Sequence, residues 1–203
     1  MILGTHNSAT GSELVGWLKP LAWVINPTSK CQEKSIAEQL ADGVRLFNLQ
    51  VAFVGGKWRF SHGLAVYKED LFKTLYVMNA FADKKHPIYF QLYLDRCFWC
   101  KQDVEAFVDL VEGIKRRYDN EYLVMLDAMV EGTGYHPYNS GRRLNSTEKY
   151  WSREWAKMCG KNWLDRLPLP KYHARKYNRE YKDSVRQEYH RNAFLMLDFY
   201  NYG

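Results

Sequence analysis

Strand-like and helix-like segments alternate along most of this chain of 203 residues. The hydrophobic patterns predict strands over 1–5, 44–53, 57–60, 87–95, 122–128 and 193–199, and helices over 35–41, 69–83, 103–118 and 171–189. Strands that alternate with helices pair in parallel, because each helix carries the chain back to the edge of the sheet where the next strand begins. The pattern and the length therefore predict one α/β domain over 1–203 with a parallel sheet.

Residues 129–172 fit this alternation less well than the rest of the chain. Three glycines and a proline indicate loop in the first part of the segment: Gly132, Gly134, Pro137 and Gly141. A helix is predicted further along, over 146–158, and a short strand over 163–167. We expect this part of the chain to lack helices or to leave one side of the sheet poorly closed.

The chain carries a formal net charge of +6, and much of the excess lies in residues 171–191. A basic surface favours phosphate-bearing partners, such as anionic lipid head groups or nucleic acid. No helix-turn-helix, zinc-finger or RNA-binding signature accompanies the charge, so nucleic acid is not expected as a partner. A solvated basic helix without any partner accounts for the same residues equally well.

Two of the four cysteines, Cys97 and Cys100, form a C-x-x-C pattern. The other two, Cys31 and Cys159, do not complete a second pair, so the pattern does not predict a zinc site. A redox pair fits the pattern, and so do two reduced thiols beside the end of a strand. The reduced thiols are the interpretation that we favour.

The beginning of the sequence does not resemble a signal peptide, because the first predicted strand begins at Met1. No apolar run reaches the length of a membrane span. We therefore expect either a cytoplasmic protein or a mature form supplied without its leader.

Two histidines lie just after predicted strands, each inside a short motif. His6 is in the segment GTHNS at 4–8, and His62 is in the segment SHG at 61–63. The segment GVRLFNLQ at 43–50 lies between them. Two histidines at the ends of successive strands suit phosphodiester cleavage, in which one side chain takes a proton and the other gives one.

The order of these three motifs resembles the catalytic half of phosphatidylinositol-specific phospholipases C. That family has a GTH[DN]S turn, a G[IV]Rx[FL]Dx[RD] strand and then an HG pair. The resemblance covers residues 1–95 through these motifs and residues 193–200 through a weaker match. It implies a distorted (β/α) TIM-type barrel of parallel strands, reduced here because the chain is at the short end of the size range for such barrels.

The resemblance also implies catalytic roles for three residues. The histidine that matches His6 is the general base of the family and removes a proton from the inositol 2-hydroxyl. The histidine that matches His62 is the general acid and protonates the leaving glycerol oxygen. Asp198 lies in a segment similar to an M-x-D-F segment of the family, and the last strand of a closed barrel neighbours the first. We therefore expect Asp198 beside His6, where a carboxylate would orient the imidazole.

The chain departs from the family pattern at Asn48 and Gln50. On this strand, bacterial members carry an arginine that neutralises the phosphate, and eukaryotic members carry acidic residues that bind calcium. Neutral amides supply neither charge, and Asp95 would be the lone carboxylate for a calcium ion. We therefore expect no metal and no other cofactor, with Ca²⁺ as the less favoured alternative.

Six further residues are expected to contact the substrate: Asn7, Asn48, Gln50, Tyr93, Asp95 and Tyr200. They lie at or near the C-terminal ends of predicted strands, where (β/α) barrels hold their active sites. Because none of them carries a positive charge, a cation from a loop would have to approach a bound phosphate. The candidate cations are Arg96, Lys101, Arg142 and Arg143.

Two functions of different classes remain open. The first is a metal-independent phosphoric diester hydrolase or lyase that acts on a phosphate-bearing substrate, such as an inositol phospholipid, with peripheral membrane contact. The second is a catalytically weakened domain of the same fold that serves as a binding or assembly module. The motif histidines favour the first function, whereas the short barrel and the neutral Asn48 and Gln50 favour the second.

Overall fold

The computed structural model describes residues 2–118, 120–141, 169–188 and 194–201. These residues contain eight strands: β1 (Ile2–Thr5), β2 (Leu46–Val54), β3 (Lys57–His62), β4 (Ala65–Asp70), β5 (Ile88–Leu94), β6 (Leu123–Val130), β7 (Tyr135–Asn139) and β8 (Phe194–Leu197). They also contain five α-helices: α1 (Ala22–Ser29), α2 (Ile36–Ala41), α3 (Leu71–Phe81), α4 (Val104–Tyr118) and α5 (Pro170–Glu188). The helix and the strand predicted over 146–158 and 163–167 lie outside the described residues.

The eight strands form one sheet. Parallel pairing places β8, β1, β2, β5 and β6 side by side, and β7 runs antiparallel to β6. The first part of β2 pairs with β1, and its last part pairs antiparallel with β3, which continues into β4. Within the described residues β7 and β8 do not pair with each other, so the barrel is open there. The predicted fold class, a reduced or distorted (β/α) barrel, is confirmed.

Side chains of β2 alternate between two surroundings. Phe47 and Leu49 are buried in the main core, which includes the apolar faces of the helices outside the sheet. Leu46 points the other way and packs in a small apolar cluster with three side chains: Val124, Leu126 and Met196. Because alternate residues of a strand share a face, Asn48 and Gln50 lie on the same inner face as Leu46.

Strand register extends this inner face to β5. Asn48 lies beside Gln91, and Gln50 lies beside Tyr93, in the parallel pair of β2 and β5. The inner face therefore changes from apolar near the N-terminal ends of the strands to polar near their C-terminal ends. The C-terminal ends are the end at which (β/α) barrels carry their functional sites.

A sharp turn follows each of the three residues predicted to be catalytic. Asn7 has a φ of 46°, Gly63 of 60° and Phe199 of 42°, all in the left-handed region. Glycine enters this region freely and asparagine tolerates it, whereas phenylalanine does so only with steric strain. The chain thus reverses immediately after each predicted catalytic side chain, which leaves that side chain at the end of its strand.

Two strands, β4 and β7, are not predicted from the sequence. The glycines and the proline between 132 and 141 indicate loop, yet Tyr135–Asn139 form β7. Pro137 is compatible with a strand here because β7 is an edge strand within the described residues, and an edge strand leaves room for a residue without an N–H. The parallel pairing expected from the alternation holds for β8, β1, β2, β5 and β6, whereas β3, β4 and β7 pair antiparallel.

Helix α5, which contains much of the basic sequence, lies against the end of β8. The side-chain amide of Asn178 donates to the carbonyls of Asp198 at 2.9 Å and Phe199 at 3.0 Å. On the exposed side of the helix, Lys171 forms an ion pair with Glu33 at 2.7 Å. None of the helices in the described parts of the chain is both long enough and apolar enough to cross a membrane.

Candidate active site

The imidazole of His6 is held by Asp198, which confirms the predicted contact. His6 Nδ1 lies 2.8 Å from Asp198 Oδ1, and the two side chains are 13% and 1% exposed. Since a carboxylate only accepts hydrogen bonds, Nδ1 carries the proton, and Nε2 of the neutral ring holds a lone pair. The contact therefore leaves Nε2 as the ring nitrogen that can take a proton.

A buried amide holds the ends of β1 and β8 together. Gln32 Nε2 donates to the carbonyl of His6 at 2.9 Å and to the carbonyl of Leu197 at 2.8 Å. The backbone N–H of His6 donates to the same Leu197 carbonyl at 3.0 Å. Because these bonds act on the backbone next to both side chains, they set the distance between His6 and Asp198.

His62 has polar contacts at both ring nitrogens. Its Nδ1 lies 2.7 Å from the carbonyl oxygen of Ser29, and its Nε2 lies 3.1 Å from Asn7 Nδ2. A carbonyl only accepts, so Nδ1 carries the proton, and Nε2 of the neutral ring accepts from the Asn7 amide. Burial lowers the pKa of His62, the Ser29 carbonyl opposes this shift, and the nearby His6 adds to it. The neutral ring is therefore favoured near neutral pH.

The two imidazoles lie close together at the C-terminal end of the barrel. Their ring centroids are 6.4 Å apart, and their planes are inclined at 81°. In each ring Nδ1 is bound to a protein acceptor, so proton transfer would use Nε2, and at His62 the Asn7 amide contacts that nitrogen. This arrangement lets one ring take a proton and the other give one at two oxygens of the same phosphate group.

Asn7 connects the protonation state of His62 to the second strand. Its backbone N–H donates to Asn48 Oδ1 at 3.2 Å, and its side-chain oxygen is buried with no hydrogen-bond partner among the described residues. When His62 Nε2 gains a proton, that N–H and the Asn7 amide N–H would both be donors. Rotation of the Asn7 amide would then turn its oxygen toward His62. Asn7 can therefore form a hydrogen bond with His62 in both the neutral and the protonated form of the ring.

The inner face carries neutral amides at Asn48 and Gln50, the two positions where the family motif has charged residues. Asn48 Nδ2 donates to Gln91 Oε1 at 3.4 Å, and the side-chain oxygen of Gln50 is buried and has no partner in the described part of the chain. Gln91 shares the face of Tyr93 by simple alternation, so the sequence analysis could have included it. These side chains bring hydrogen bonds but no charge to a ligand, and their role as substrate contacts stays a prediction.

Asp95 supports the turn that follows His62. Its Oδ2 accepts from the backbone N–H of Gly63 at 3.0 Å, and the residue is buried. Burial and the neighbouring carboxyl of Glu131 raise the pKa of Asp95 to about 7, against the opposing effects of the Ser61 hydroxyl and the Gly63 N–H. The carboxyl group therefore positions the His62 turn, and its predicted contact with the substrate stays a prediction.

Tyr200 is directed away from the other predicted site residues. Its hydroxyl donates to the carboxylate of Asp42, which follows α2 and also pairs with Lys34 at 2.6 Å. Burial raises the pKa of Tyr200, and the contact with Asp42 raises it further. The structure therefore does not bring the Tyr200 hydroxyl together with the histidines.

Two of the four candidate cations lie in the described residues. The guanidinium of Arg96 donates to the carbonyl of Gly132 at 3.1 Å, so it is engaged by the turn between β6 and β7. Lys101 is exposed in the loop after β5. Arg142 and Arg143 lie outside the described residues.

The sequence analysis did not identify the segment at the end of α1 as part of the site. The Ser29 carbonyl contacts His62, Gln32 contacts the backbone of His6, and Cys31 Sγ lies 4.0 Å from His62 Nδ1. None of the three residues lies in a motif, and no periodic pattern distinguishes them. Folding alone brings them to the histidines, so no signal in the sequence could have found them.

Solved structures of phosphatidylinositol-specific phospholipases C are similar to this chain in fold. A mutant of the enzyme from Staphylococcus aureus aligns with a TM-score of 0.60 and 14% identity over 100% of this chain and 86% of the enzyme. The enzyme from Listeria monocytogenes aligns with a TM-score of 0.60 and 14% identity over 98% of this chain and 87% of the enzyme. A further S. aureus structure gives a TM-score of 0.62. No family model and no curated protein sequence matches the chain.

This similarity establishes a phospholipase-C-like barrel and nothing finer. At 14% identity, residue roles do not transfer from the aligned enzymes. The roles of His6, His62 and Asp198 must therefore be argued from their own contacts.

The raised pKa of Asp95 makes stability depend on pH in a defined direction. The folded chain keeps this proton up to about pH 7, whereas the unfolded chain releases it near 3.8. Between these values the folded state binds more protons, so the free energy of unfolding falls as pH rises through the window. Asp95→Asn removes this titration but keeps an oxygen for the Gly63 N–H. We expect the stability of the variant relative to the wild type to increase from about pH 4 to about pH 7.

Urea unfolding at several pH values measures this difference. Asp109→Asn, at an exposed position on α4, is the matched control and should show little change with pH relative to the wild type. A stability difference between Asp95→Asn and the wild type that stays constant across the window would show that Asp95 does not titrate as described.

Proposed function

We propose that this chain is a phosphodiesterase of the phosphatidylinositol-specific phospholipase C type, with His6 as general base and His62 as general acid. The arrangement of the two imidazoles carries the proposal, because their centroids lie 6.4 Å apart and each Nδ1 is bound to a protein acceptor. Asp198 acts as a positioning residue that orients His6. A capping or surface histidine would not need such contacts. Two histidines held in this way at one end of a barrel favour catalysis.

The proposed reaction moves one proton to His6 and one from His62. His6 Nε2 takes the proton of a substrate hydroxyl next to the phosphorus, and that oxygen forms a bond to phosphorus. The bond from phosphorus to the leaving oxygen breaks, and the leaving oxygen takes a proton from charged His62 Nε2. Hydrolysis of the resulting cyclic phosphodiester by water uses the two rings in reversed roles.

The inner face supports a head group that carries several hydroxyls, such as that of an inositol phospholipid. Asn7 and Gln50 each have a buried side-chain oxygen without a partner in the described residues. Ligand hydroxyls can donate to both oxygens, whereas a phosphate oxygen can only accept.

We propose no metal or cofactor for the reaction, since the strand positions next to the histidines are neutral amides, which make Ca²⁺ the less favoured alternative. Nucleic acid is not proposed as a partner.

Exposed aromatic side chains beside His62 support contact with a membrane surface. Trp17, Phe98 and Trp99, here called the aromatic rim, are 53%, 71% and 38% exposed, and Trp99 packs against both of the others. The backbone N–H of Phe98 donates to the carbonyl of Gly63, which places the aromatic rim next to the site. Aromatic residues favour the membrane interface, and the net charge of +6 favours anionic lipids. A structure of the S. aureus enzyme comes from work on its membrane binding.

A binding or assembly module with weakened catalysis is the second candidate function. The neutral Asn48 and Gln50 favour it, because an enzyme needs positive charge or strong donors near the phosphate. Loss of one such stabilising donor typically lowers the rate by roughly 10²–10³-fold. The two candidates share one fold and one set of site residues and differ in whether turnover occurs.

His6→Ala and His62→Ala test the proposed mechanism. Each variant should lower hydrolysis of phosphatidylinositol vesicles by roughly 10²–10⁴-fold, because each removes one proton-transfer group. Turnover is measured with phosphatidylinositol, phosphatidylcholine and a chromogenic phosphodiester, with and without Ca²⁺. His86→Ala, at an exposed loop before β5, is the control and should keep wild-type activity. A loss of less than about fivefold in a folded variant would remove that histidine from the mechanism.

Substitutions in the aromatic rim test membrane contact. We expect Trp17→Ala with Phe98→Ala to lower partitioning into vesicles of phosphatidylcholine and phosphatidylinositol by about tenfold or more, since two large apolar side chains no longer enter the interface. Sedimentation with vesicles measures the bound fraction. Tyr76→Ala, 70% exposed on α3, is the matched control. Equal binding by all three proteins would show that the aromatic rim does not dock on lipid.

Gln50→Arg distinguishes the enzyme from the binding module. The substitution adds a positive charge on the inner face, close to the proposed phosphate position, and Gln50→Met is the neutral control of similar size. If the catalytic groups are intact and lack only a counter-charge, phosphodiesterase activity should rise by roughly 10²-fold or more in the arginine variant alone. If the wild type is inactive and the arginine variant gains nothing, the module is favoured over the enzyme.

A further inference from the structure

Three potential metal ligands meet at the site, and one of them, Cys31, belongs to none of the family motifs. His6, Cys31 and Asp198, here called the thiol cluster, each offer one ligand atom, and these atoms all lie within 4.8 Å of one another. Cys31 is a reduced, buried cysteine, and the sequence analysis assigned it no role. The side chain of His6 is 13% exposed, whereas Cys31 and Asp198 are buried.

A second observation at the thiol cluster points to a ligand. Asp198 Oδ2 is buried and has no hydrogen-bond partner among the described residues, while Oδ1 binds His6. A buried carboxylate oxygen without a donor is costly, so a bound cation would relieve this cost. The sulfur of Cys31 lies 3.7 Å from Asn7 Nδ2 and 3.9 Å from the Ser29 carbonyl, which is the range of weak sulfur contacts.

We propose that the thiol cluster binds a thiophilic divalent cation, with Zn²⁺ as the model ion, and that the bound cation inhibits the phosphodiesterase. The inhibition rests on the proposed function, whereas the binding does not. An imidazole, a thiolate and a carboxylate are ligands that Zn²⁺ takes together, and the thiolate discriminates against Ca²⁺ and Mg²⁺, which prefer oxygen. The thiolate and the carboxylate together balance the charge of the ion.

Binding of the cation would change the tautomer of His6 and so oppose its function as a base. A cation beside Asp198 would bind Nδ1, the ring nitrogen that faces this carboxylate, in place of the Nδ1 proton. The proton of Nδ1 then resides on Nε2, so Nε2 has no lone pair with which to take a proton from substrate. The Cys31 thiol loses its proton to solvent on binding.

Co²⁺ and Zn²⁺ binding to the purified protein tests the proposal directly. Co²⁺ should give the near-ultraviolet charge-transfer absorption of a cobalt–thiolate bond, and Cys31→Ser should abolish it. Zn²⁺ affinity, measured by competition with a chromophoric chelator, should fall by at least about tenfold in Cys31→Ser. Cys97→Ser and Cys159→Ser are controls that should keep both signals. Ca²⁺ should not compete with Zn²⁺.

The wild-type spectrum alone can overturn the proposal, whether or not Cys31→Ser folds. A spectrum at saturating Co²⁺ that lacks the thiolate band, or a band that persists in Cys31→Ser, would show that Cys31 is not a ligand. Inhibition is measured as the ratio of turnover without and with Zn²⁺ in the same protein, and a chelator should restore activity. If Zn²⁺ binds through Cys31 but turnover is unaffected, the inhibition is refuted. If the wild type binds Zn²⁺ through Cys31 and has no turnover in any assay, the metal site stands and the proposed function fails.

Discussion

The parallel hydrogen bonds between β1 and β8 join the two ends of the described chain, Ile2–Thr5 and Phe194–Leu197. This pairing brings His6 to Asp198 across 192 positions of sequence. Closing so long a loop costs conformational entropy, although the cost grows only slowly with length. Gln32 adds two buried hydrogen bonds across the same junction and so ties it to the segment after α1. The orientation of the proposed base therefore depends on backbone pairing, which is harder to disturb than a contact between surface side chains.

Unpartnered acceptors around the histidines indicate what kind of ligand the site suits. Asn7 Oδ1, Gln50 Oε1 and Asp198 Oδ2 are all buried and lack a hydrogen-bond partner among the described residues. A buried polar group without a partner costs roughly 1–3 kcal/mol, so a ligand that satisfied these oxygens would recover that cost. All three are acceptors, so the missing partner is a donor or a cation. Ligand hydroxyls and a thiophilic metal ion both meet this requirement.

The sequence predicts those features of the fold and site that depend on local pattern. Alternation along β2 correctly places Asn48 and Gln50 on one face, and the order of strands correctly places Asp198 beside His6. The edge strand β7 is missed because Pro137 and its neighbouring glycines are typical of loops, and only the edge position makes the proline acceptable. The contact between Ser29 and His62 uses a backbone carbonyl, which any residue type provides. No residue identity could therefore have revealed it.

Charge separates the two candidate functions. The buried carboxylate of Asp198 and the unpartnered acceptors attract donors and cations, and they repel a phosphate anion. Among the residues that the structure describes, His62 in its protonated form can offset this repulsion. One side chain would then supply both the proton and the counter-charge. Burial lowers the pKa of His62 below its usual 6.5, so this charge is present only on the acidic side of that value. An enzyme built in this way would work best under acidic conditions or with a loop cation, for which Lys101, Arg142 and Arg143 are the candidates. A module that binds a neutral polyhydroxyl group needs neither and keeps its affinity as His62 loses its proton.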